Sequence, residues 1–477
     1  MKVLLINPPT KHCVQIEVPH AVNREVGRMM PMGLLSIFSY LKANGVEQAK
    51  ILDAALPGKE ETVKSCVKEF DPALIGITSH THNLYDVIVT IRRIREVKPE
   101  AKIVIGGPHV NSFPHEAASL KDVDFAIQGD GEKPFLSLIK AMSDGGSPRD
   151  PALIPGLWRL DKKGAVQGSN CELIDDLDRL PFPDRNALDL RAYGYALEGG
   201  GLSATIYTAK GCPYNCRFCS TPRKPVRFRS IENVIEEIGI LEKMGIKKIF
   251  ILDDTFNINR ARAEKLALGL IKKGMKIRWS FRARIDNLDA ELLNLLKRSG
   301  CTRLQVGIET GTDEGLQILG KDLTIEKICE GIRQVRRAGI EVAGYFMLGC
   351  PNERSKADIR KTIRFAIELK LDYVLFGILT LFKGTPLYDE AQQRGIIHGD
   401  PWKNFMLNPT PDFQPPTWNE FLSKNQLEEI VNEAYKTFYL RPSYIAGKFV
   451  KATTNPRDWP LMARAALAIL SLKKGHD

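Results

Sequence analysis

Residues 210–220 read KGCPYNCRFCS, which sets Cys212, Cys216 and Cys219 on one short stretch, and no fourth cysteine or histidine follows at metal-ligand spacing. Structural zinc sites take four protein ligands, whereas four-iron four-sulfur clusters are held by thiolates at short spacings. Three thiolates on a cubane leave one iron open to an exchangeable ligand. The alternative is a zinc knuckle completed from a distance, with Cys301 and Cys350 as available fourth ligands. Both lie at or beside apolar, strand-like runs, where a buried thiol usually behaves as a small hydrophobe.

Such a loop needs a scaffold. In residues 201–390 six strand-like runs, SATIYTAK, KKIFILDD, IRWSFRARI, TRLQVGIET, IEVAGYFMLG and YVLFGILTLF, alternate with amphipathic helical stretches. Six βα units fall short of the eight that close a barrel, so a partial (β/α)6 barrel is predicted. Cys212 lies just past the first of these strands, at the mouth where barrel chemistry is done.

Residues 1–140 show the same alternation with continuous apolar strands, which predicts an α/β, flavodoxin-like (Rossmann-type) parallel sheet covered on both faces. Its strands end in Asn7-Pro8-Pro9, Thr78-Ser79, Gly106-Gly107-Pro108 and Gly129-Asp130-Gly131-Glu132. Ligands of such sheets sit beyond the carboxyl ends of the strands. Residues 141–200, rich in Pro, Gly and Asp, read as a linker, and 391–477 as a mainly helical C-terminal region. The last stretch, WPLMARAALAILSLKKG, has a broad apolar face and basic ends; it reads as a helix packed on the barrel, with peripheral membrane contact as the other reading.

With 477 residues, 43% hydrophobic and 26% charged, the chain is long enough for two or three domains, and its composition is that of a soluble globular protein. Nine cysteines, an odd number and scattered apart from the one cluster, argue against a disulfide framework and for a reducing, cytoplasmic setting. The net charge of +11 reads as a solvated surface: no dense Arg/Lys block with interleaved aromatics speaks for nucleic acid.

The segment KGCPYNCRFCS resembles the signature of the radical S-adenosylmethionine enzymes. The resemblance implies a [4Fe-4S] cluster on Cys212, Cys216 and Cys219 whose fourth iron is chelated by the amino and carboxylate groups of S-adenosylmethionine. Reductive cleavage then yields a 5′-deoxyadenosyl radical. It also implies that Phe218 packs near adenine, that Asp253 and Asp254 of ILDDTF meet the methionine amino group, and that Arg282, Arg284 and Glu309 serve the ribose and carboxylate. The backbone from Gly344 to Gly349 in GYFMLGCPNE would approach the adenine.

The front of the chain, with INPP, GITS, GGPHV and FAIQGDGEKPF, resembles the cobalamin-binding domain of one subclass of these enzymes, LPFPDR its linker, and FYLRPSYI a segment of its tail. Asn7, Pro8, Thr78, Ser79, Gly106, Gly107, Pro108 and Gly129 are then the cobalamin-binding candidates. The D-x-H-x-x-G motif that supplies a lower axial histidine is absent, which implies a cobalt without one; His80, His82 and His109 read as solvated or hydrogen-bonded.

The resemblance implies a cobalamin-dependent radical enzyme that methylates an unactivated carbon of a bulky hydrophobic small molecule such as a tetrapyrrole, a lipid or another natural product, fed electrons by a flavodoxin or ferredoxin and acting as a monomer. Oxidative cyclisation is the alternative. A transfer-RNA methylthiotransferase fits poorly, because only Cys13 and Cys66 stand in the front region for a second cluster. A non-catalytic metal or cobalamin module would bind without cleaving anything.

Overall fold

The computed structural model describes residues 1–14, 27–143, 154–162, 164–195, 202–221 and 225–454, together with Leu467, Ile469, Leu470 and Leu472. The amphipathic C-terminal stretch otherwise lies outside the described residues. No described helix is long and apolar enough to cross a membrane. The chain divides into two units, Met1–Val14 with Pro31–Ala192 and Asp400–Gln414, and Gln15–Met30 with Tyr193–Gly399 and Pro415–Asp477.

In the first unit, β1 (Val3–Asn7), β2 (Ala49–Asp53), β3 (Leu74–Thr78), β4 (Lys102–Gly106) and β5 (Phe125–Ile127) pair in parallel in the order β2-β1-β3-β4-β5. Four successive buried positions in β1 and again in β3 show why these strands are uniformly apolar: side chains on both faces meet helices. The helices are α1 (Met32–Ala43), α2 (Thr62–Phe70), α3 (Leu84–Arg95) and α6 (Glu132–Ser143), with the short α4 (Pro108–Ser112) and α5 (Pro114–Ala118) between the last two. The strand order reverses between β1 and β3, so the crevice at the carboxyl ends of that pair is where a ligand is received. Part of the stretch expected to be a linker is regular instead. Leu157–Asp161 (β6) and Gly164–Gln167 (β7) extend the sheet as an antiparallel edge, and Ile127 of β5 faces Leu157.

The second unit is a six-stranded parallel sheet in sequential order: β8 (Ser203–Ile206), β9 (Lys248–Ile251), β10 (Arg278–Ala283), β11 (Cys301–Glu309), β12 (Glu341–Leu348) and β13 (Tyr373–Ile378). The crossover helices are α7 (Ile231–Lys243), α8 (Arg260–Lys272), α9 (Ala290–Arg298), α10 (Asp313–Ile318), α11 (Ile325–Arg337) and α12 (Lys356–Glu368). Each starts on a residue whose side chain accepts a backbone N–H three positions on: Ser230, Asn259, Asp289, Thr312, Thr324 and Ser355. Period-2 alternation sends Trp279, Phe281, Leu304, Val306, Phe346, Leu348 and Phe376 into the buried layer. Trp279 and Phe281 stack at 5.4 Å there, with Phe256 against both.

The sheet does not close, and β13 leaves an edge. After α13 (Pro386–Gln393), helix α14 (Lys424–Tyr439) covers that edge with hydroxyls. Tyr435 Oη donates to the Phe376 carbonyl and accepts from its N–H, both at 3.1 Å. Tyr439 does the same at Val374, at 2.8 and 2.9 Å, and Tyr444 Oη donates to the Asp372 carbonyl at 2.9 Å. The segment FYLRPSYI thus satisfies backbone groups that a closed barrel would pair with a further strand.

Candidate functional site

The cysteine loop begins beyond β8, after the Ala209–Lys210 pairing with Arg227–Phe228. Its base is fixed by Asp253 at the end of β9. That carboxylate accepts from the Thr208 N–H at 2.7 Å, the Thr208 hydroxyl at 2.5 Å and the Ala209 N–H at 3.1 Å. Asp253 therefore departs from the expected part of a cofactor ligand: it is fully buried and committed to the strand ends. Its neighbour Asp254 is exposed and acts electrostatically on Cys219 and Tyr207.

Burial is the largest influence on Asp253 and pushes its pKa up to about 6, against its hydrogen bonds from Thr208 and Ala209. An unfolded Asp ionises near 3.9, so as pH rises from ~4 to ~6 the unfolded state releases its proton first and stability falls, by roughly 3 kcal/mol in all. Asp253→Asn removes this contribution. We expect the gap between its urea midpoint and that of the wild type to change between pH 4 and 7; parallel curves would show that Asp253 does not titrate there.

All three cysteines are free thiols of intermediate exposure. They feel one another electrostatically: Cys216 feels Cys212, and Cys219 feels both. Burial raises the Cys216 and Cys219 pKa values; Lys321 and then Arg284 oppose the shift at Cys216. Among the described residues no three His, Cys, Asp or Glu side chains are drawn together as a finished metal-binding group. The donor set is three soft thiols on one loop, partly open to solvent, which suits a thiolate-held iron–sulfur cluster.

Beside the loop lies a pair that sequence reading half missed. Glu309 ends β11 at φ 72°, where the register with β12 shifts, and its carboxylate meets Lys321 Nζ at 2.5 Å. Both side chains are about nine-tenths buried, at 10% and 11% exposure. A methyl at Gly307 would run into the Glu309 carboxylate and lie 2.9 Å from Lys321 Nζ, so glycine is what leaves room for the pair. Lys321 sits twelve positions past Glu309 with no motif around it; only the fold brings it here.

Arg284 is also committed within the protein. Its guanidinium donates to Asp286 at 2.9 Å and to the Lys321 and Asp322 carbonyls at 2.6 and 3.0 Å, and it covers the Tyr214 ring at 4.2 Å. Arg282 differs. It lies 5.6 Å from the Phe250 ring and acts on Tyr207, and no carboxylate among the described residues pairs with it. In register beside it is Gln305, whose Oε1 accepts from Tyr345 at 2.6 Å while its buried Nε2 has no partner among the described residues.

Phe218 is partly exposed on the loop. At the two glycines that bound the expected adenine-backing segment, the space a Cβ would take is filled from the protein side. A side chain at Gly344 would meet Leu371 at 2.7 Å and Ile308 at 3.0 Å, and one at Gly349 would meet Leu427 at 2.9 Å. The Gly349 N–H donates to Glu353 at 2.7 Å.

At the carboxyl edge of the first sheet, the glycines serve packing in the same way. A Cβ at Gly107 (φ 102°) would lie 3.0 Å from both the Ser79 carbonyl and Thr78 Oγ1, and one at Gly129 would collide with the Cys171 sulfur. Ser79 is buried and donates to the Gly106 carbonyl at 2.9 Å. Asn7 donates to Asp53 at 2.8 Å, Pro8 is buried, and Pro108 is exposed. The β1–β3 crevice is flanked by the turn after β1, where His12 meets Asp86 at 2.9 Å, and by His80 and His82 after β3, whose rings lie 5.0 Å apart. Burial first, then His80, lowers the His82 and His109 pKa values to about 3, so both are neutral at pH 7. His109 bonds Thr81 at 3.1 Å through Nδ1, and its buried Nε2 has no partner among the described residues. An orphaned polar atom at the carboxyl edge of a 2-1-3-4-5 sheet fits a nucleotide-bearing cofactor such as cobalamin.

The Radical SAM superfamily model matches residues 206–366 and the B12 binding domain model residues 21–139. An uncharacterized methyltransferase of Pyrococcus horikoshii is 30% identical over 452 residues, 93% of this chain and 94% of that protein. The chain belongs to the B12-binding radical SAM enzymes. The family's cofactors are a [4Fe-4S] cluster, S-adenosylmethionine and cobalamin. The anaerobic magnesium-protoporphyrin IX monomethyl ester cyclase of Rubrivivax gelatinosus is 25% identical over 94% of this chain and 80% of its own length. The cobalamin-dependent S-adenosylmethionine radical enzyme OxsB, solved with aqua-cobalamin and S-adenosylmethionine bound, shares the fold, with a TM-score of 0.73 at 15% identity over 98% of this chain and 72% of that one.

Proposed function

We propose that this radical SAM enzyme transfers a methyl group to an unactivated carbon of a small, largely apolar molecule. Cys212, Cys216 and Cys219 hold the cluster, and the exposed Asp254, the half-buried Arg282 and the largely buried Glu309 are the residues offered to S-adenosylmethionine, with Phe218 beside them. Cobalamin takes the edge formed by Asn7, Pro8, Thr78, Ser79, Gly106, Gly107, Pro108 and Gly129, mostly through backbone, with His109 Nε2 as a polar contact. When bound, these groups supply one-electron cleavage of the sulfonium and a transferable methyl group.

The chain's own share is placement and exclusion of water. Tyr345, Met347 and Leu375 alternate with buried neighbours along β12 and β13, and this aromatic and aliphatic set supports an apolar substrate. A net charge of +11 supports delivery of electrons by an acidic protein such as a flavodoxin or ferredoxin, with this chain acting as a monomer.

The observation that carries the reading is the loop of three free, mutually interacting thiols in a chain whose other unit is a 2-1-3-4-5 sheet. The test uses holoenzyme, reductant, S-adenosylmethionine with a trideuterated methyl group, and a panel of apolar metabolites. S-adenosylhomocysteine, 5′-deoxyadenosine and a labelled product are expected, all dependent on added cobalamin. 5′-Deoxyadenosine with an unlabelled, ring-closed product would favour cyclisation, as the name of the Rubrivivax relative allows. No cleavage by iron-loaded protein would leave only a binding module.

A further inference from the structure

The stretch from Cys212 to Ser220 carries little structure of its own. Among the described residues its one internal backbone bond runs from the Cys219 N–H to the Cys216 carbonyl at 3.2 Å. What holds it comes from outside, at two side chains. Tyr214 accepts from Asn287 at 2.8 Å and lies under Arg284. Arg217, directly after Cys216, is held at four points. Its N–H donates to the Leu319 carbonyl at 2.9 Å, and its carbonyl accepts from the Leu387 N–H at 3.2 Å. Its guanidinium donates to the Ile318 carbonyl at 3.0 Å and to Glu390 at 2.7 Å.

The sites it bonds are chosen by physics. Helix α10 ends at Ile318, and the last carbonyls of a helix lack intrahelical donors while carrying its negative end. A backbone N–H and a guanidinium from the same residue answer both needs. The stem has to lie across the end of the helix to do so, and there the chain has Gly320 at φ 63°; a Cβ at that position would stand 2.9 Å from Arg217 Cγ. On the other side, Glu390 belongs to α13, so the loop is clasped between the end of α10 and a helix that follows the last strand.

From this geometry we infer that Arg217 is the positioning residue of the cysteine loop: it sets the separation of Cys216 and Cys219 before iron arrives, so that the thiols receive the cluster instead of being organised by it. The inference rests on the three cysteines being the cluster ligands. Pinning both the N–H and the carbonyl of the residue between two ligands removes loop freedom that would otherwise be lost on metal binding.

The test compares Arg217→Met, which keeps the stem and removes the guanidinium, with Arg217→Lys, wild type and Cys216→Ala. After anaerobic reconstitution, iron and sulfide per chain, the electron paramagnetic resonance of the reduced cluster and the rate of iron loss to a chelator are measured, together with the melting temperature of the iron-free protein. Arg217→Met is expected to lose iron about 10- to 100-fold faster, the range seen for residues that orient metal ligands, with an altered resonance line shape. Arg217→Lys should recover part of the loss, because one cation can still meet the carbonyls. An Arg217→Met protein that keeps its cluster like the wild type, while Cys216→Ala loses it, overturns the positioning role and leaves the ligand assignment standing. A Cys216→Ala protein that keeps the cluster overturns the ligand assignment. Should Arg217→Met fail to fold, Glu390→Gln carries the test: it removes the partly exposed Arg217 ion pair, together with the looser Arg394 contact at 3.6 Å, and should hasten iron loss roughly twofold, and a rate equal to wild type counts against the inference.

Discussion

Cys216→Ala is expected to yield a folded chain without its iron–sulfur cluster. Reconstituted wild type should hold about four irons per chain and the variant below about one, since two remaining thiolates cannot retain a cubane. The fold should survive, because Cys216 is only partly buried on a loop and its truncation removes no core contact. Iron and sulfide analysis, the brown absorption and circular dichroism read these effects separately. S-adenosylmethionine cleavage should fall to background with the iron. A variant that retained wild-type iron would move the cluster elsewhere, with Cys301 and Cys350 next in line; both are buried. Burial pushes Cys350 well above the ordinary thiol range, which makes it a poor ligand.

The largest effect on stability is expected from Lys321→Met. The Glu309 carboxylate sits in a left-handed conformation at a register shift, about nine-tenths buried, with Lys321 at 2.5 Å. Removing the cation leaves a buried carboxylate without its counter-charge, which typically costs about 3–5 kcal/mol. The double variant Glu309→Gln with Lys321→Met should recover much of that loss, because it removes the charge as well as its partner. Urea midpoints of the two single variants and the double variant check this. Additive losses would mean that the two side chains do not depend on each other.

The pair bears on function too. Lys321 and Glu309 both act electrostatically on Cys216, so the same substitution alters the surroundings of a proposed cluster ligand. A change in iron content in Lys321→Met that exceeds the fraction of unfolded protein would trace to that influence.

How much of this was legible in the sequence follows from the distances along the chain over which each feature is written. The three cysteines lie within eight positions, and their spacing on a strand-to-helix loop is local, so residue order alone reveals the chemistry they share. The strands are legible for the same reason: buried runs such as LIGIT and VLLIN are contiguous, and period-2 alternation marks those with one open face. The 157–167 hairpin escaped because its residues are half-exposed at a sheet edge, where little apolar pattern is required.

Which carboxylate, arginine or glycine faces the site is decided otherwise. Asp253 and Asp254 are adjacent and chemically identical, yet one is fully buried against Thr208 and the other exposed, because successive residues at a strand end point to opposite sides. Arg284 reads like Arg282 until the fold brings the Lys321 and Asp322 carbonyls beneath it. Arg217 meets Glu390 across 173 positions, and a Cβ at Gly107 or Gly129 would run into protein atoms that lie far away in sequence. Residue types and short spacings are carried by the covalent chain and survive in the unfolded state. Pairings between remote side chains exist only once packing has brought them together, and which of them form depends on the desolvation that packing imposes.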